Sequence, residues 1–200
     1  MSSKRSAWGP LTTRRSFDAP LTIGVIADTH VTHGVGGKTL SPFVLDLFRR
    51  ANTGLIVHLG DINTRYILDE LAEVAPTIAV VGNADDQDLL YMLKRSVRFT
   101  VGQFRFGAVH GHGGKNARSE AIATLAGKVD CVLFGHSHQP LIETVEGSVL
   151  MNPGSATDRR WFDHFGVGII QVTDEGFYPE LILYTDPAHL VNVDVSKGSQ

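Results

Sequence analysis

The ten residues Leu21–His30, with the sequence LTIGVIADTH, decide the fold. An apolar run rich in β-branched residues predicts a buried β-strand, and Asp28, Thr29 and His30 end it abruptly. Side chains two residues apart in an extended chain project to the same side, so a carboxylate and an imidazole share one edge. This spacing suits two ligands of one metal ion, although a helix cap or a solvated turn residue is the alternative explanation.

The same event, an apolar run that ends beside a metal-capable side chain, recurs four times further along the chain. The side chains at these later strand ends are Asp61, Asn83, His110 and the pair His136 and His138. The first three strands alternate with helices, which predicts parallel strands joined by right-handed crossovers. Because parallel strands end at the same edge of a sheet, we expect the first three sites to lie side by side.

Local patterns predict where the helices begin. Ser41 and Pro42 suit the cap and the first position of one helix, and Thr64 and Asn116 are expected to cap two others. A short helix is expected over 85–94. His58 lies inside the apolar run 55–59, so we interpret it as a core histidine rather than a ligand.

Composition limits the function further. The 200 residues, of which 42% are hydrophobic, suffice for one well-buried domain. A net charge of -3 and a pI near 6.3 argue against a broad nucleic-acid-binding surface. No apolar run is long enough for a membrane helix. Cys131 is the single cysteine and lies in an apolar run, which favours a buried thiol and a cytoplasmic protein.

The order Asp-x-His, Gly-Asp, Gly-Asn, His-Gly and Gly-His-x-His resembles the calcineurin-like metallophosphoesterases. It is most similar to their small single-domain bacterial and archaeal phosphodiesterases, for which the sequence Asn152-Pro153-Gly154-Ser155 is also typical. The resemblance implies an α/β fold of two packed mixed β-sheets flanked by helices, an αββα sandwich. The catalytic domain is expected over 21–185, with a disordered tail at 1–20 and a C-terminal tail at 186–200.

The resemblance also implies two divalent metal ions. One set of ligands would be Asp28, His30 and His138, the other would be Asn83, His110 and His136, and Asp61 would bridge them. Carboxylate and imidazole ligands without a thiolate favour Mn, with Ni, Fe, Co, Zn or Mg as alternatives. Two such ions can clamp a phosphoryl group while a bridging hydroxide attacks phosphorus.

One residue departs from the family pattern. Many members have a histidine after the Gly-Asn pair that serves the leaving group, and this chain has Ala84 there, followed by Asp85. His112 is the nearest substitute as a catalytic acid, with a structural loop histidine as the alternative. Asp85 is expected to cap the next helix, or to orient Asn83 or a ligand histidine. Asn83 and Arg159 are the candidate contacts for the substrate phosphate, and Arg160 could make the same contact, with solvated surface arginines as the alternative.

The predicted partner is a small phosphoester, with no membrane and no broad nucleic-acid surface. A phosphodiesterase is the leading prediction, and a phosphomonoesterase or nucleotide phosphatase is one alternative. A non-catalytic protein-binding scaffold on the same fold, as in the small retromer subunit, is another. A homo-oligomer is left open, and Trp161 and Phe162 are expected at an interface, at a pocket rim or in an ordinary packing role.

Overall fold

The computed structural model describes residues 11–32 and 39–185. Three predictions therefore fall wholly or partly outside the described residues. These are the first half of the N-terminal tail, the centre of the loop 31–40 and the C-terminal tail from residue 186.

The described residues form eleven strands and four helices. The strands, in chain order, are β1 (Ser16–Phe17), β2 (Leu21–Ile26), β3 (Leu55–His58), β4 (Thr77–Ala79), β5 (Ser96–Val101), β6 (Phe104–Val109), β7 (Cys131–Phe134), β8 (Leu141–Val145), β9 (Ser148–Asn152), β10 (Phe165–Val172) and β11 (Phe177–Tyr184). The helices are α1 (Pro42–Arg50), α2 (Tyr66–Ala72), α3 (Gln87–Met92) and α4 (Ala117–Leu125). Among these helices none has both the length and the apolar character that crossing a bilayer requires.

Two mixed sheets contain these strands, as predicted. The five-stranded sheet has the order β11-β10-β2-β3-β4, and its strands β2, β3 and β4 are parallel. The six-stranded sheet has the order β1-β5-β6-β7-β9-β8 and is parallel across β6, β7 and β9. Parallel pairing places the carboxyl ends of β2 and β3, and those of β6 and β7, at one edge of each sheet.

The two sheets pack face to face, and their central strands are buried on both faces, one against the other sheet and one against helices. Ile23 and Val25 of β2 point between the sheets and meet residues of the other sheet such as Phe106. Ile26, on the opposite face of β2, packs under α1 against Phe48. This alternation gives the predicted αββα sandwich, with α4 covering the outer face of the six-stranded sheet.

Helix caps follow the sequence at two sites and depart from it at a third. The Ser41 hydroxyl accepts a hydrogen bond from the Phe43 N–H, and Asn116 caps α4 in a reciprocal capping box. Thr64 was expected to cap the next helix. That helix begins at Tyr66 instead, and its cap residue, Arg65, makes no side-chain capping bond.

The N-terminal segment differs from the prediction of a disordered tail over 1–20. Within its described part, Leu11 bridges to Thr77, and Ser16–Phe17 pairs in parallel with β5. Phe17 is buried in the core between the sheets. The sequence could not predict this because the strand is short and polar and shows no periodicity. A contact with distant parts of the chain, the burial of the Phe17 ring, anchors it instead.

Candidate metal centre

Two groups of ligand side chains meet where the strands end. The Asp28 group consists of Asp28, His30 and His138, and one ligand atom from each lies within 4.8 Å of the others. Its members follow β2 and β7, which belong to different sheets. The Nε2 atom of His138 lies 3.3 Å from His30 Nε2 and 3.6 Å from Asp28 Oδ1.

The His110 group consists of Asp61, His110 and His136, and its ligand atoms also lie within 4.8 Å of one another. The Nε2 atom of His110 is 3.3 Å from Asp61 Oδ1 and 3.2 Å from Asn83 Oδ1. Asn83 is exposed, whereas Asp61 and His110 are buried. The amide of Asn83 therefore stands at the mouth of this group.

Asp61 connects the two groups. Its Oδ1 atom faces His110, and its Oδ2 atom lies 3.5 Å from the Nε2 atom of His30 in the Asp28 group. The Ala84 N–H donates to Oδ1 over 2.8 Å, while the buried Oδ2 has no hydrogen-bond partner in the described part of the chain. A buried carboxylate oxygen without a donor is costly, and a cation between the groups would satisfy it.

The histidine tautomers favour metal binding through Nε2. The Nδ1–H of His138 donates to the Asp158 carbonyl, and the Nδ1–H of His110 donates to the Leu59 carbonyl over 2.7 Å. A neutral imidazole with its proton on Nδ1 turns the lone pair of Nε2 outward. The Nε2 atoms of His110 and His138 each face a carboxylate oxygen, of Asp61 and Asp28 respectively. Two facing lone pairs repel each other unless a proton or a metal ion lies between them.

Burial and charge shift the pKa values at this edge. Burial raises the pKa of Asp28 to about 7, and burial lowers the pKa of His138 to about 4. Burial also opposes the charge of Asp61, but the hydrogen bond and the charge of His110 outweigh it and hold that pKa well below its usual range. Burial disfavours protonated His110, yet the hydrogen bond to Asp61 and the charge of Asp28 raise its pKa.

The backbone turns sharply at the ligands. Asp28, His30, Asp61, His136 and His138 all have φ angles between 44° and 66°. Residues other than glycine adopt this left-handed conformation at a cost of about 1–3 kcal/mol, and such strain concentrates at functional sites. It persists here because neighbouring groups hold it. The His136 N–H, for example, donates to both carboxylate oxygens of Asp28 over 3.1 and 2.9 Å.

Of the two alternatives for Asp85, a cap for the next helix or a group that orients Asn83 or a ligand histidine, the structure contradicts the first. The Asp85 carboxylate does not cap α3, since Asp86 does so by accepting from the Leu89 N–H. Asp85 instead accepts from the N–H groups of Ile62, Asn63 and Gly82 over 2.6, 2.9 and 2.7 Å. It thereby joins the loop that carries Asp61 to the loop that carries Asn83. The local sequence before Asp85, Gly82-Asn83-Ala84, gave no signal of the partners at Ile62 and Asn63.

The loop after β9 supports the Asp28 group from outside. Ser155 donates from its hydroxyl to the Asp28 carbonyl over 2.7 Å, and the Asn152 amide donates to the Gly135 carbonyl over 3.0 Å. The Thr157 hydroxyl donates to the Thr29 carbonyl. The sequence motif at 152–155 marked this loop, but only the structure shows that it fixes the two ligand loops.

Two predicted site residues remain, the candidate acid His112 and the candidate substrate contact Arg159. His112 lies beside the His110 group, with ring centroids 5.3 Å from His110 and 6.4 Å from His136. The Nη1 atom of Arg159 donates to the carbonyls of Phe162 and Asp163 over 2.8 and 3.3 Å. These hydrogen bonds hold the guanidinium beside its own loop, and its contact with a substrate stays a prediction.

Burial is the main cause of the raised pKa of Asp28 and of the lowered pKa values of His136 and His138, and the charge of Arg160 makes a smaller contribution that favours the unprotonated form of all three. His58, by contrast, is a core histidine as predicted. It is fully buried, accepts from the Gly60 N–H and contacts the Thr29 hydroxyl at 3.1 Å.

Two packed sheets with paired carboxylate and imidazole groups at one edge define a metal-binding α/β domain of the phosphoesterase type. The chain belongs to the calcineurin-like phosphoesterase superfamily, whose domain model matches residues 21–175. This match confirms the resemblance on which the predicted fold was based. The family is metal-dependent, and the donor atoms of both groups fit divalent first-row ions.

Known relatives agree with this assignment. A probable metallophosphoesterase of Methanothermobacter thermautotrophicus is 35% identical over 164 residues, which cover 80% of this chain and 91% of that protein. A phosphodiesterase of Methanocaldococcus jannaschii is 24% identical over 144 residues, which cover 66% of this chain and 82% of that protein. Wild-type Vps29 of Entamoeba histolytica, solved in complex with Zn²⁺, has a TM-score of 0.64 at 22% identity, and the match covers 82% of this chain and 99% of that one. At this identity the last similarity concerns the fold alone.

Proposed function

We propose that this chain is a phosphodiesterase that uses two divalent metal ions, with Mn²⁺ as the preferred pair. The observation that carries the proposal is the position of Asp61, whose two carboxylate oxygens face separate ligand groups. A carboxylate between two sets of imidazoles is the arrangement that holds two ions a short distance apart. Ions bound there would attract the phosphoester and supply hydroxide as the nucleophile at neutral pH.

The residues around the groups would orient the substrate. Asn83 is exposed beside His110, so its amide can donate to a phosphate oxygen while its carbonyl serves as a ligand. Arg160 joins Arg159 as a proposed cation for the substrate charge, because its backbone N–H donates to the Asp158 carboxylate and the Asp158 carbonyl accepts from the ligand His138. His112 remains the proposed acid for the leaving group, since Ala84 has no proton to give.

Phosphodiesters are favoured over monoesters because the relative from Methanocaldococcus jannaschii is named a phosphodiesterase. Ala84, in place of the histidine that many members of the superfamily have after the Gly-Asn pair, supports the small phosphodiesterase branch but does not decide between diester and monoester. All seven predicted ligand positions carry a ligand side chain, which favours an enzyme over a protein-binding scaffold.

Hydrolysis of bis(p-nitrophenyl) phosphate beside p-nitrophenyl phosphate, with added Mn²⁺, tests the proposal. We expect turnover of the diester, and we expect Asp61→Asn to reduce it at least about 100-fold because the shared ligand loses its charge. Asp88→Asn is the matched control, since it removes an exposed carboxylate from α3 and should leave the rate within about twofold.

Other outcomes separate the alternatives. Turnover of the monoester alone would replace the diesterase by a phosphomonoesterase. A chain that binds no metal ion at all would contradict the proposal and favour the scaffold. The cytoplasmic location and a homo-oligomer stay predictions, the first supported by the buried free thiol of Cys131 and the second by the exposed ring of Trp161.

A further inference from the structure

A basic cavity lies on the outer face of the six-stranded sheet, apart from the metal centre. It has a volume of about 300 Å³, and four of its lining residues are cationic: Arg15, Arg98, Arg105 and Lys128. The whole chain has a net charge of -3, so this concentration of positive charge is a local feature. Like charges that converge on one depression repel each other, and a bound anion relieves that repulsion.

The register of the sheet brings these residues together from distant parts of the chain. Arg105 of β6 pairs with Thr100 of β5, and Arg98 pairs with Gly107, so the two arginines are diagonal neighbours on one face. Arg15 joins them because the Thr100 N–H donates to its carbonyl over 2.9 Å. Lys128 comes from the segment that follows α4.

Three of the four cations are held in place by hydrogen bonds. Arg105 forms a two-point contact with Asp130, with distances of 3.2 and 2.7 Å. Arg15 donates from Nη1 to the carbonyls of Thr12 and Arg14, and Lys128 donates from Nζ to two carbonyls at the end of α4. A fixed cation loses less conformational entropy when an anion binds, which raises affinity.

The charges in this cavity exceed their local partners. Asp130 compensates Arg105, but within the described residues no carboxylate forms an ion pair with Arg15, Arg98 or Lys128. Arg15, Arg98 and Lys128 are all exposed, so an incoming anion can reach them without a change of structure. An anion that contacts several cations at once is attracted by each of them.

We propose that this cavity binds a small organic phosphate monoester. The planar guanidinium groups match the oxygens of a phosphate, and the dianionic charge near pH 7 suits three uncompensated cations. Phe99, Phe106 and Val129 border the cavity but have buried side chains, whereas the partly exposed hydroxyl of Thr100 lies beside the cations and suits the polar organic part of the ligand. A volume of about 300 Å³ is at the lower end for ligand pockets, which restricts the ligand to a small molecule.

The site is remote from the metal centre and does not depend on the proposed function. Arg105 lies near the start of β6, and His110 follows the end of that strand five residues later, a separation of about 17 Å at the rise of a β-strand. Lys128 precedes β7, whereas His136 follows it. The ligand would therefore occupy the opposite end of these strands and leave the metal ligands free.

A titration of the full chain with ribose 5-phosphate, monitored by NMR of the backbone amides, tests the proposal. The titration is carried out once with Zn²⁺ and once without it. We expect saturable shifts at Thr100 and Val129, none with ribose, and weaker shifts with inorganic phosphate. Arg98→Gln should weaken binding about tenfold through the loss of a charge-assisted hydrogen bond. This exposed side chain has no hydrogen bond or ion pair within the described residues, so the variant should fold normally.

Arg49→Gln is the matched control, since it removes an exposed arginine from the last turn of α1. Equal weakening by both variants would overturn the site in favour of diffuse surface attraction. Shifts confined to the loops of Asp61 and His110 would also overturn it, because the phosphate would then bind only at the metal ligands. Equal affinity for inorganic phosphate would overturn the assignment of an organic ligand.

Discussion

The Nε2 atoms of His30 and His138 lie 3.3 Å apart, and their rings stack with centroids 5.2 Å from each other. The two residues are separated by 108 positions in the chain and come from loops of different sheets. The Asp158 carbonyl holds His138 so that its Nε2 atom faces His30 and Asp28. The sandwich therefore assembles one half of the metal centre across the two sheets.

Metal binding should stabilise the folded chain. At a Mn²⁺ concentration about 100-fold above the dissociation constant, one site contributes about 2.7 kcal/mol, which corresponds to a rise in Tm of about 5–10 °C. His138→Ala should lose most of this rise, measured by thermal unfolding with and without Mn²⁺. His164→Ala, a histidine outside both groups, should keep it. An equal rise in both variants would place the ion elsewhere.

Asp85 should matter more than its neighbour Asp86. Asp85→Asn turns an amide donor toward one of three backbone N–H groups, and we expect a loss of about 2–3 kcal/mol in the free energy of unfolding. Asp86→Asn should cost almost nothing, because asparagine caps a helix as well as aspartate does. Urea unfolding of the two variants measures the difference, and similar losses would refute the bridging role of Asp85.

Arg160 and Arg159 should have separable effects on catalysis. Arg160→Gln should raise KM for the diester about fivefold with a small change in kcat, because it removes a cation from the loop whose Asp158 carbonyl holds the ligand His138. Arg159→Gln should have a smaller effect on KM, since its guanidinium bonds to carbonyls of its own loop. Steady-state kinetics at constant ionic strength compares them, and the reverse order would make Arg159 the main substrate contact.

The contribution of His112 to the rate of hydrolysis should increase with the basicity of the leaving group. An alkoxide must be protonated as it leaves, whereas p-nitrophenolate needs little help. We expect His112→Gln to slow an alkyl phosphodiester about 100-fold and bis(p-nitrophenyl) phosphate less than about fivefold. Equal effects on both substrates would assign His112 a structural part in the loop after β6.

The buried ring of His58 should make the metal-free protein sensitive to acid. Burial lowers its pKa from 6.5 to about 3 in the folded state, so the unfolded chain binds more protons between these values. Stability is therefore lost as the pH falls through this window, by at most about 1.4 kcal/mol per pH unit. Urea unfolding at pH 7 and pH 5 should show a loss about 2 kcal/mol larger for wild type than for His58→Gln. Parallel losses would show that His58 does not contribute.

The sequence alone determined ten of the eleven described strands, the parallel pairing of β2, β3 and β4, and the side chains at the strand ends. It did so because these signals are local: apolar β-branched runs, flanking glycines, and the caps at Ser41 and Asn116. The family resemblance then assigned the ligand residues to two sets, and the structure gathers six of them into two groups and places Asn83 beside His110.

Tertiary structure decided everything that depends on partners distant in the chain. It assigned Asp85 to three backbone N–H groups, directed Arg159 into its own loop and anchored residues 11–17 through Phe17. It also brought Arg15, Arg98 and Lys128 around one cavity. A hydrogen-bonding or charged side chain has the same local signal whichever partner it finds, so only the packing of the two sheets selects among the alternatives.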